Sequence, residues 1–287
     1  MYNHFMSYTL LFSTDNHAKL EEFSEKNCFD RETPGQYQFS SFKKGSCRLV
    51  LYDSGKLVIQ GKQCEHYYNE LLDFLDEKVY SHYGSDEAGK GDLFGPLVIC
   101  AVYMSEKDFK TFRSLGFQES KNTKGEKLKK QAKLLKETLS YETVFITPKK
   151  YNELYLKFNN LNKLMRWAHT TALKNLLTKV NDKNSPVYID QFAKNMRFDI
   201  TDINEVIQET KAEKHPAVAA ASLICKSEFI LWLEKKSKEL GIKLPAGASN
   251  VKGVAFQIVE KYGVDTLKDL TKNHFKTYGE IINKCRG

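Results

Sequence analysis

The sequence lacks the patterns that define several common classes of protein. Its six cysteines are scattered, with no C-x-x-C pair and no histidines at zinc spacing, which favours reduced thiols in a cytoplasmic protein. No apolar stretch approaches the length of a membrane span, and the start "MYNHFMSYTLLF" lacks the basic region of a signal peptide. Internal repeats and low-complexity linkers are also absent. We therefore expect a cytoplasmic globular protein with no membrane association.

Charge is distributed unevenly along the 287 residues, a length sufficient for two domains. A content of 41% hydrophobic and 12% aromatic residues is typical of a globular chain. Residues 1–80 hold 9 basic and 12 acidic residues, so the net charge of +8 reflects a balance of +11 in residues 81–287. Such a positive field favours a polyanionic partner, most often nucleic acid. A protein that is basic without such a partner is the alternative that charge alone leaves open.

The first part of the chain predicts a small α+β domain over residues 1–78. Strand-like runs occur at "SYTLLFS", "YQFSSFK", "SCRLVLYD" and "KLVIQG", with "DSG" as the hairpin turn between the last two. Helical patterns occur at "NHAKLEEFSEKN", where Asn16 is the predicted N-cap, and at "EHYYNELLDFLDEK". The order β-α-β-β-β-α predicts a one-sided sheet that carries two helices.

Residues 79–287 predict an α/β domain in which a mixed central sheet is flanked by helices. Strands are predicted at "HYGSDEA", "PLVICAVYM", "ETVFIT" and "PVYIDQF". The second is an almost unbroken apolar run, which is typical of a strand covered on both faces. The clearest helical patterns are "NLNKLMRWAHTTALKNLLTKV" and "PAVAAASLICKSEFILWLEKKSKEL".

Residues 84–91, "GSDEAGKG", come within one residue of a phosphate-binding P-loop. Gly91, however, stands where a serine or threonine hydroxyl should hold magnesium. Asp86 and Glu87 lie inside the loop, where their charges would repel a triphosphate. The glycine spacing also fails the dinucleotide-binding G-x-G-x-x-G pattern. We therefore regard the resemblance to a P-loop as coincidental.

The two adjacent acids suggest a different chemistry. Neighbouring carboxylates at a strand end repel each other, and a magnesium or manganese ion with oxygen ligands relieves that repulsion. Lys90 and its flanking glycines would then hold a phosphodiester, although a solvated acidic turn is the alternative. Asp190 follows a buried-looking strand, and Glu213 precedes the helix that starts "AVAAAS". Four acids from three elements would form a two-metal phosphoryl-transfer centre. Considered alone, Glu213 is interpreted as an acid that interacts with the N-terminus of the nearby helix, and the run of small residues as a site of tight packing.

The blocks "YGSDEAGKGDLFGPLV", "YIDQF", "TKAEKHPAVAAASLI" and "LPAGAS" together resemble the type 2 ribonuclease H family, most closely its HIII members. The resemblance covers most of residues 80–275. The N-terminal pattern is similar to the TATA-box-binding-protein-like substrate-binding domain of HIII proteins. The resemblance implies a ribonuclease H-like catalytic domain in residues 79–287. It also implies an endoribonuclease that hydrolyses the RNA strand of RNA/DNA hybrids with two Mg²⁺ or Mn²⁺ ions, leaving 5′-phosphate and 3′-hydroxyl ends.

Residue by residue, the resemblance assigns catalysis and metal binding to four carboxylates: Asp86, Glu87, Asp190 and Glu213. Glutamate at the last position is the HIII-like choice. The resemblance assigns contacts to the substrate backbone and ribose hydroxyls to Gly89, Lys90 and Gly91, of which Lys90 varies within the family. The chain departs from the family pattern at two positions, where alanine and arginine are usual: Cys225 and Lys226. Lysine lacks the bidentate geometry of arginine, so a phosphate contact there is in question.

Two alternative functions remain open on this sequence. One is cleavage at single ribonucleotides in duplex DNA, as in ribonuclease HII, and the other is hybrid binding without catalysis. No obligatory protein partner is expected.

Other features have two interpretations each. The segment "KNTKGEKLKKQAKLLKE" is either a solvated helix face or a surface that steers nucleic acid. In the first domain, a nucleic-acid-binding surface on the open side of the sheet is predicted from basic and aromatic residues: Lys43, Lys44, Arg48, Lys62, Tyr37, Phe39 and Phe42. The aromatic residues would alternatively form core beneath the helices. His169 is interpreted as a packed or surface histidine, not a ligand.

Overall fold

The structure is a computed structural model that describes residues 7–12, 17–75, 80–114, 125–193, 196–200, 203, 205–247 and 249–286. The chain divides into two compact units, of which one contains residues 1–79 with 110–118 and the other residues 80–109 with 119–287. The predicted domain boundary between residues 78 and 79 and the predicted N-cap Asn16 lie outside the described residues. The boundary therefore stays a prediction.

The N-terminal unit contains an antiparallel sheet with strands in the order β1-β5-β4-β3-β2. The strands are β1 (Ser7–Leu11), β2 (Asp30–Glu32), β3 (Gln38–Lys44), β4 (Cys47–Tyr52) and β5 (Lys56–Gln60). The helices are α1 (His17–Lys26) and α2 (Cys64–Phe74). All predicted strands and helices of this unit are present, so the α+β prediction is confirmed. The sequence did not predict β2, because its three polar residues at the sheet edge carry no hydrophobic alternation.

Both helices pack on one face of this sheet. Leu20 and Phe23 of α1 and Tyr68 of α2 join Leu49 and Ile59 of the strands in one buried core. Of the aromatic residues proposed for nucleic-acid binding, Phe42 belongs to this core, whereas two are exposed: Tyr37 by 71% and Phe39 by 44%. The core interpretation is therefore correct for Phe42 and wrong for the other two.

The described residues between 80 and 286 contain a second sheet and the remaining helices. The strand order is β10-β9-β6-β7-β8, where β10, β9 and β6 are parallel and β7 and β8 are antiparallel to their neighbours. The strands are β6 (His82–Ala88), β7 (Leu97–Met104), β8 (Ser140–Ile146), β9 (Val187–Asp190) and β10 (Val206–Glu209). This mixed sheet confirms the predicted α/β architecture. The sequence did not predict β10, a four-residue strand at the sheet edge.

The helices of this part of the chain are α3 (Glu106–Ser114), α4 (Gly125–Thr138), α5 (Pro148–Phe158), α6 (Leu161–Val180), α7 (Pro216–Leu240), α8 (Val251–Leu270) and α9 (Lys276–Arg286). Within α8 the backbone is not helical at Gly263. Helices α6 and α7 both pack on the sheet. Alternate residues of β7, Leu97, Ile99 and Ala101, share a core with α6. The intervening residues Val98 and Cys100 are also fully buried, as predicted for a strand covered on both faces.

Helix α7 packs unusually close to β6. A Cβ atom on Gly84 would lie 2.2 Å from the backbone nitrogen of Val218, so only glycine fits there. His82 Nε2 accepts a hydrogen bond from the backbone N–H of Ala217 at 3.2 Å and so caps the first turn of the helix. The small residues of "AVAAAS" therefore allow α7 to pack tightly on β6, as the sequence predicted for this run.

Contrary to the expectation from the sequence, α7 is long and apolar enough to cross a membrane by length and composition. However, 67% of its apolar window is buried inside the fold. Its length and apolar composition have a structural reason, because the helix packs on β6 and β7 in the core. Core helices of this kind are apolar on most sides.

Candidate active site

The ends of two neighbouring parallel strands place the predicted acids together. Ser85 of β6 pairs with Ile189 of β9, and the next residue of each strand is Asp86 and Asp190. Asp190 Oδ1 accepts a hydrogen bond from the backbone N–H of Ala212 at 3.0 Å. That contact holds the 3₁₀ turn Ala212–Lys214, which contains Glu213, against the end of β9. Three separate segments thus carry the four acids to the same end of the sheet, although their carboxylates do not converge there.

The alternation of β6 directs its two acids to opposite faces of the sheet. Gly84 and Asp86 face α7, because Gly84 packs on its first turn and Ser222 of that helix hydrogen-bonds Asp86. Ser85 and Glu87 face α6, where both contact His169. The site therefore spans the end of the sheet, with Asp86 on one side and Glu87 on the other.

Asp86 is held in an environment unfavourable to its charge. Burial raises the pKa of this carboxyl well above its usual range, and the neighbouring charges of Glu87 and Asp190 raise it further. The hydrogen bonds from Ser222 and from the backbone N–H of Glu87, the latter at 2.8 Å, act in the opposite direction but do not compensate. A positive charge at this position would relieve the repulsion.

Glu87 has the opposite balance. Burial tends to raise its pKa, but the contact with His169 and the charge of Lys90 outweigh burial and lower the pKa. His169 Nε2 lies 3.4 Å from Glu87 Oε2, and Lys90 Nζ lies 3.5 Å from Glu87 Oε1. Glu87 is therefore an ionised carboxylate at neutral pH.

Phe192, two residues after Asp190, completes this group of contacts. Its ring stacks on His169 with 5.1 Å between ring centroids and 17° between planes. The Lys90 ammonium lies 5.4 Å from the centre of the same ring. Lys90 is thereby fixed between a carboxylate and an aromatic face, next to the glycines of the loop.

The two glycines that flank Lys90 have different structural requirements. Gly89 has φ +83°, and a Cβ atom there would lie 2.1 Å from the carbonyl oxygen of Pro96. Glycine at this position is required by the turn itself. Gly91 is exposed, and a Cβ atom there would meet nothing within 4 Å. The fold does not explain glycine at position 91, which leaves open space beside the acids.

These residues fit a hard divalent cation, although no three histidine, cysteine or acidic side chains of the described residues yet converge as a metal cluster. The lack of convergence agrees with the location of Asp86 and Glu87 on opposite faces. The donors are carboxylate oxygens, which Mg²⁺ and Mn²⁺ prefer. Asp86 carries uncompensated repulsion, and the buried Glu87 Oε2 makes no short hydrogen bond within the described structure, since its contact with His169 Nε2 is 3.4 Å long. The assignment of all four acids to the metal stays a prediction.

Three neighbours of the acids were not predicted from the sequence: His169, Phe192 and Ser222. His169 is packed, as expected, but it is fully buried against Glu87 and not merely part of the apolar core. Its position four residues after Met165, on the buried face of α6, was a signal, because a buried imidazole needs polar partners. Cys225, one of the departures from the family pattern, donates a hydrogen bond from its thiol to the carbonyl oxygen of Asp86 at 3.2 Å.

The lysine-rich segment after residue 120 is only partly a free basic surface. Residues 115–124 lie outside the described structure. In α4, Lys129 forms ion pairs with Glu126 and with Glu234 of α7, and Lys136 pairs with Glu228 of α7. These lysines attach α4 to α7, whereas Lys127 and Lys130 are exposed.

Comparison with known proteins identifies the class of this fold and site. The sequence model of the family "Ribonuclease HII" matches residues 83–278. This range contains both strand ends, the glycine loop and α7. The chain therefore belongs to the ribonuclease HII family.

Several relatives that match over most of the chain are ribonucleases HIII. Ribonuclease HIII of Protochlamydia amoebophila is 36% identical over 285 residues, which cover 93% of each chain. The solved structure of Aquifex aeolicus RNase H3 is 29% identical, with a TM-score of 0.58 over 92% of this chain and 98% of that one. The structure of Bst-RNase HIII in complex with Mn²⁺ has a TM-score of 0.68 at 23% identity and covers 98% and 99% of the two chains. The predicted family, fold class and enzyme class, a ribonuclease H-type hydrolase, are confirmed.

Proposed function

We propose that this protein is an endoribonuclease that hydrolyses the RNA strand of RNA/DNA hybrids. The observation that supports the proposal is the pairing of β6, which carries Asp86 and Glu87, with β9, which ends at Asp190. Asp190 bonds the backbone N–H of Ala212, the residue before Glu213, and all of these positions lie within the range matched by the ribonuclease HII family. The positive balance of +11 in residues 81–287 supports a polyanionic substrate. Free cysteines throughout the chain support a cytoplasmic location.

The four carboxylates are the groups that would hold two divalent ions, Mg²⁺ or Mn²⁺. The Mn²⁺ complex of the solved relative supports this choice of metal. Bound here, the ions would supply activation of a water for in-line attack and stabilisation of the departing 3′-oxygen, leaving 5′-phosphate and 3′-hydroxyl ends. The backbone N–H of Ala212 orients Asp190, and Ser222 with the Glu87 N–H orients Asp86. Both aspartates are thereby fixed before any ligand binds.

The loop of Gly89, Lys90 and Gly91 is the proposed contact with the substrate backbone and ribose hydroxyls. Gly89 sets the turn, and the open space at Gly91 lets a phosphodiester approach the main chain. Lys90 presents its ammonium beside the acids, where contacts with Glu87 and Phe192 restrict its motion. Contacts of this kind position a duplex without reading its sequence.

Residues 1–78 are proposed to form a TATA-box-binding-protein-like domain that holds the substrate. Tyr37 is exposed and available for stacking, and the partly exposed Phe39 also contacts the ring of His17 edge-on, with 4.8 Å between centroids. The basic row of this sheet is partly neutralised, since Arg48 and Lys43 both pair with Glu32. Lys44 is directed elsewhere, because its ammonium donates to the carbonyl of Asn27. We therefore propose that the exposed aromatic residues of this domain contribute more to substrate binding than its basic residues do.

The decisive experiment compares cleavage of a uniform RNA/DNA hybrid with cleavage of a DNA duplex that contains one ribonucleotide. Both substrates are tested in Mg²⁺ and in Mn²⁺, with Asp190→Asn as the control. Asparagine keeps the Oδ1 acceptor for the Ala212 N–H, so the fold is preserved while the charge is lost. We expect cleavage of the hybrid and a loss of orders of magnitude in the variant.

Other outcomes would redirect the proposal. Efficient cleavage at the single ribonucleotide with little cleavage of the hybrid would assign the protein a ribonuclease HII-like activity. Metal-independent hybrid binding with no product under either metal would indicate a binding protein that retains the fold. Normal hybrid cleavage by Asp190→Asn would show that the metal assignment is wrong.

A further inference from the structure

His169 lies on the α6 side of the sheet, the side that Glu87 faces and Asp86 does not. It is fully buried on α6, and its ring contacts Ser85 and Glu87, the two residues of β6 that face this helix. Asp86 instead faces α7 and is oriented there by Ser222. Glu87 thus depends on α6 for its orientation.

Both ring nitrogens of His169 are directed at polar atoms. Nδ1 lies 2.8 Å from Ser85 Oγ, and the same Oγ lies 3.0 Å from the carbonyl oxygen of Cys100. The contact with Ser85 fixes the plane of the ring, and a hydroxyl proton directed at Nδ1 leaves the ring proton on Nε2, where it can be donated to Glu87. Nε2 then points to Glu87 Oε2 at 3.4 Å. Neither atom of that pair has a hydrogen-bond partner elsewhere in the described residues.

Packing alone does not account for a histidine at this position. Apolar neighbours on the buried face of α6, such as Ala172 and Leu173, fill the core without polar atoms. Phe192 stacks on the flat face of the imidazole and leaves both nitrogens to their partners. The same Phe192 ring lies against Lys90, which contacts the other oxygen of Glu87. His169 therefore contacts one oxygen of the Glu87 carboxylate and Lys90 the other.

We propose that His169, oriented by Ser85, is a positioning residue that holds Glu87 at the strand end from the α6 side of the sheet, where it can ligate a divalent metal. This inference rests on the proposed function. It concerns the Glu87 carboxylate and assigns no direct contact between His169 and the metal or the substrate.

The test uses two amide substitutions, each of which replaces the role of one ring nitrogen and removes the role of the other. His169→Asn places its amide near the former Nδ1 and keeps a partner for Ser85, whereas His169→Gln reaches the former Nε2 and keeps a donor to Glu87. Leu173→Ala, one turn later on the same buried face, is the control for packing loss. Mn²⁺ affinity is measured by titration calorimetry on the full chain, in parallel with thermal unfolding and hybrid cleavage.

We expect His169→Asn to weaken Mn²⁺ binding by about tenfold or more, as is typical when the partner of a metal ligand is removed. His169→Gln should retain most of the affinity, and Leu173→Ala should lose stability without losing affinity. At saturating Mn²⁺ the KM for hybrid should be unchanged in His169→Asn, while the Mn²⁺ concentration for half-maximal rate rises.

Two results would overturn the inference. One is wild-type Mn²⁺ affinity in His169→Asn, and the other is equal loss in the Asn and Gln variants in proportion to their loss of thermal stability. If the Asn variant does not fold, Ser85→Ala removes the partner of the ring and leaves the ring in place. Unchanged affinity in that variant would also contradict the proposal. Failure of the proposed function is distinguishable, because wild-type protein would then bind Mn²⁺ without cleaving hybrid.

Discussion

Asp86→Asn should abolish activity and at the same time stabilise the metal-free protein. Burial, followed by the charges of Glu87 and Asp190, raises the pKa of Asp86 to about 7. Each pKa unit corresponds to about 1.4 kcal/mol, so ionised Asp86 lowers the free energy of unfolding by up to about 4 kcal/mol. We expect the Asn variant to gain about 1–4 kcal/mol in its free energy of unfolding at pH 8.

The pH dependence gives the sign of this effect. Because the pKa of Asp86 is higher in the folded than in the unfolded chain, the folded state binds more protons between about pH 4 and pH 7. The contribution of Asp86 to the stability of the metal-free wild type should therefore fall as pH rises through this window. The Asn variant lacks the titrating group, so its advantage should be smaller at pH 5 than at pH 8 and largest above pH 7.

The assay is thermal unfolding in a metal chelator at pH 5 and pH 8, with hybrid cleavage measured separately in Mg²⁺. Asp182→Asn is the matched control, because Asp182 accepts hydrogen bonds from Tyr103 and Ser185 that outweigh its burial and lower its pKa. That variant should lose stability at pH 8 and keep activity. Destabilisation of Asp86→Asn at pH 8 in chelator would refute the reasoning, since the carboxylate would then contribute to folding without a metal.

Other variants test the loop and its supports. Gly91→Ala should keep the wild-type Tm but raise the KM for hybrid. Gly89→Ala should lower the Tm, because the backbone φ at this position is +83°. Equal losses of Tm in the two variants would contradict the different structural requirements of the two glycines. Gly84→Ala should cost about 1–3 kcal/mol by forcing α7 away from β6, and unfolding at wild-type Tm would exclude that contact. Burial lowers the pKa of Lys272 to about 7. Between about pH 7 and pH 10 the unfolded chain therefore binds more protons at this lysine than the folded chain does, so this group should make the free energy of unfolding rise with pH. Lys272→Met should remove that increase, which unfolding at pH 7 and pH 9 would measure.

The sequence determined the elements whose signal is local. The apolar run of β7 and the small-residue start of α7 predicted buried elements, and both are found. Asp86 and Glu87 were identifiable because two adjacent acids before a glycine loop have few structural explanations. The edge strands β2 and β10 were missed, since three or four residues at a sheet edge carry no periodic pattern.

Tertiary structure decided which faces and partners these residues have. Only the pairing of β6 with β9 and the packing of α6 and α7 show that Asp86 and Glu87 are oriented by different helices. His169 lies 82 positions after Glu87, and no local pattern connects them. Likewise, "GKG" contains one glycine required by the turn and one that is not, a difference that depends on the distant carbonyl of Pro96. Sequence periodicity specifies burial within an element, whereas electrostatic and steric neighbours are set by long-range contacts.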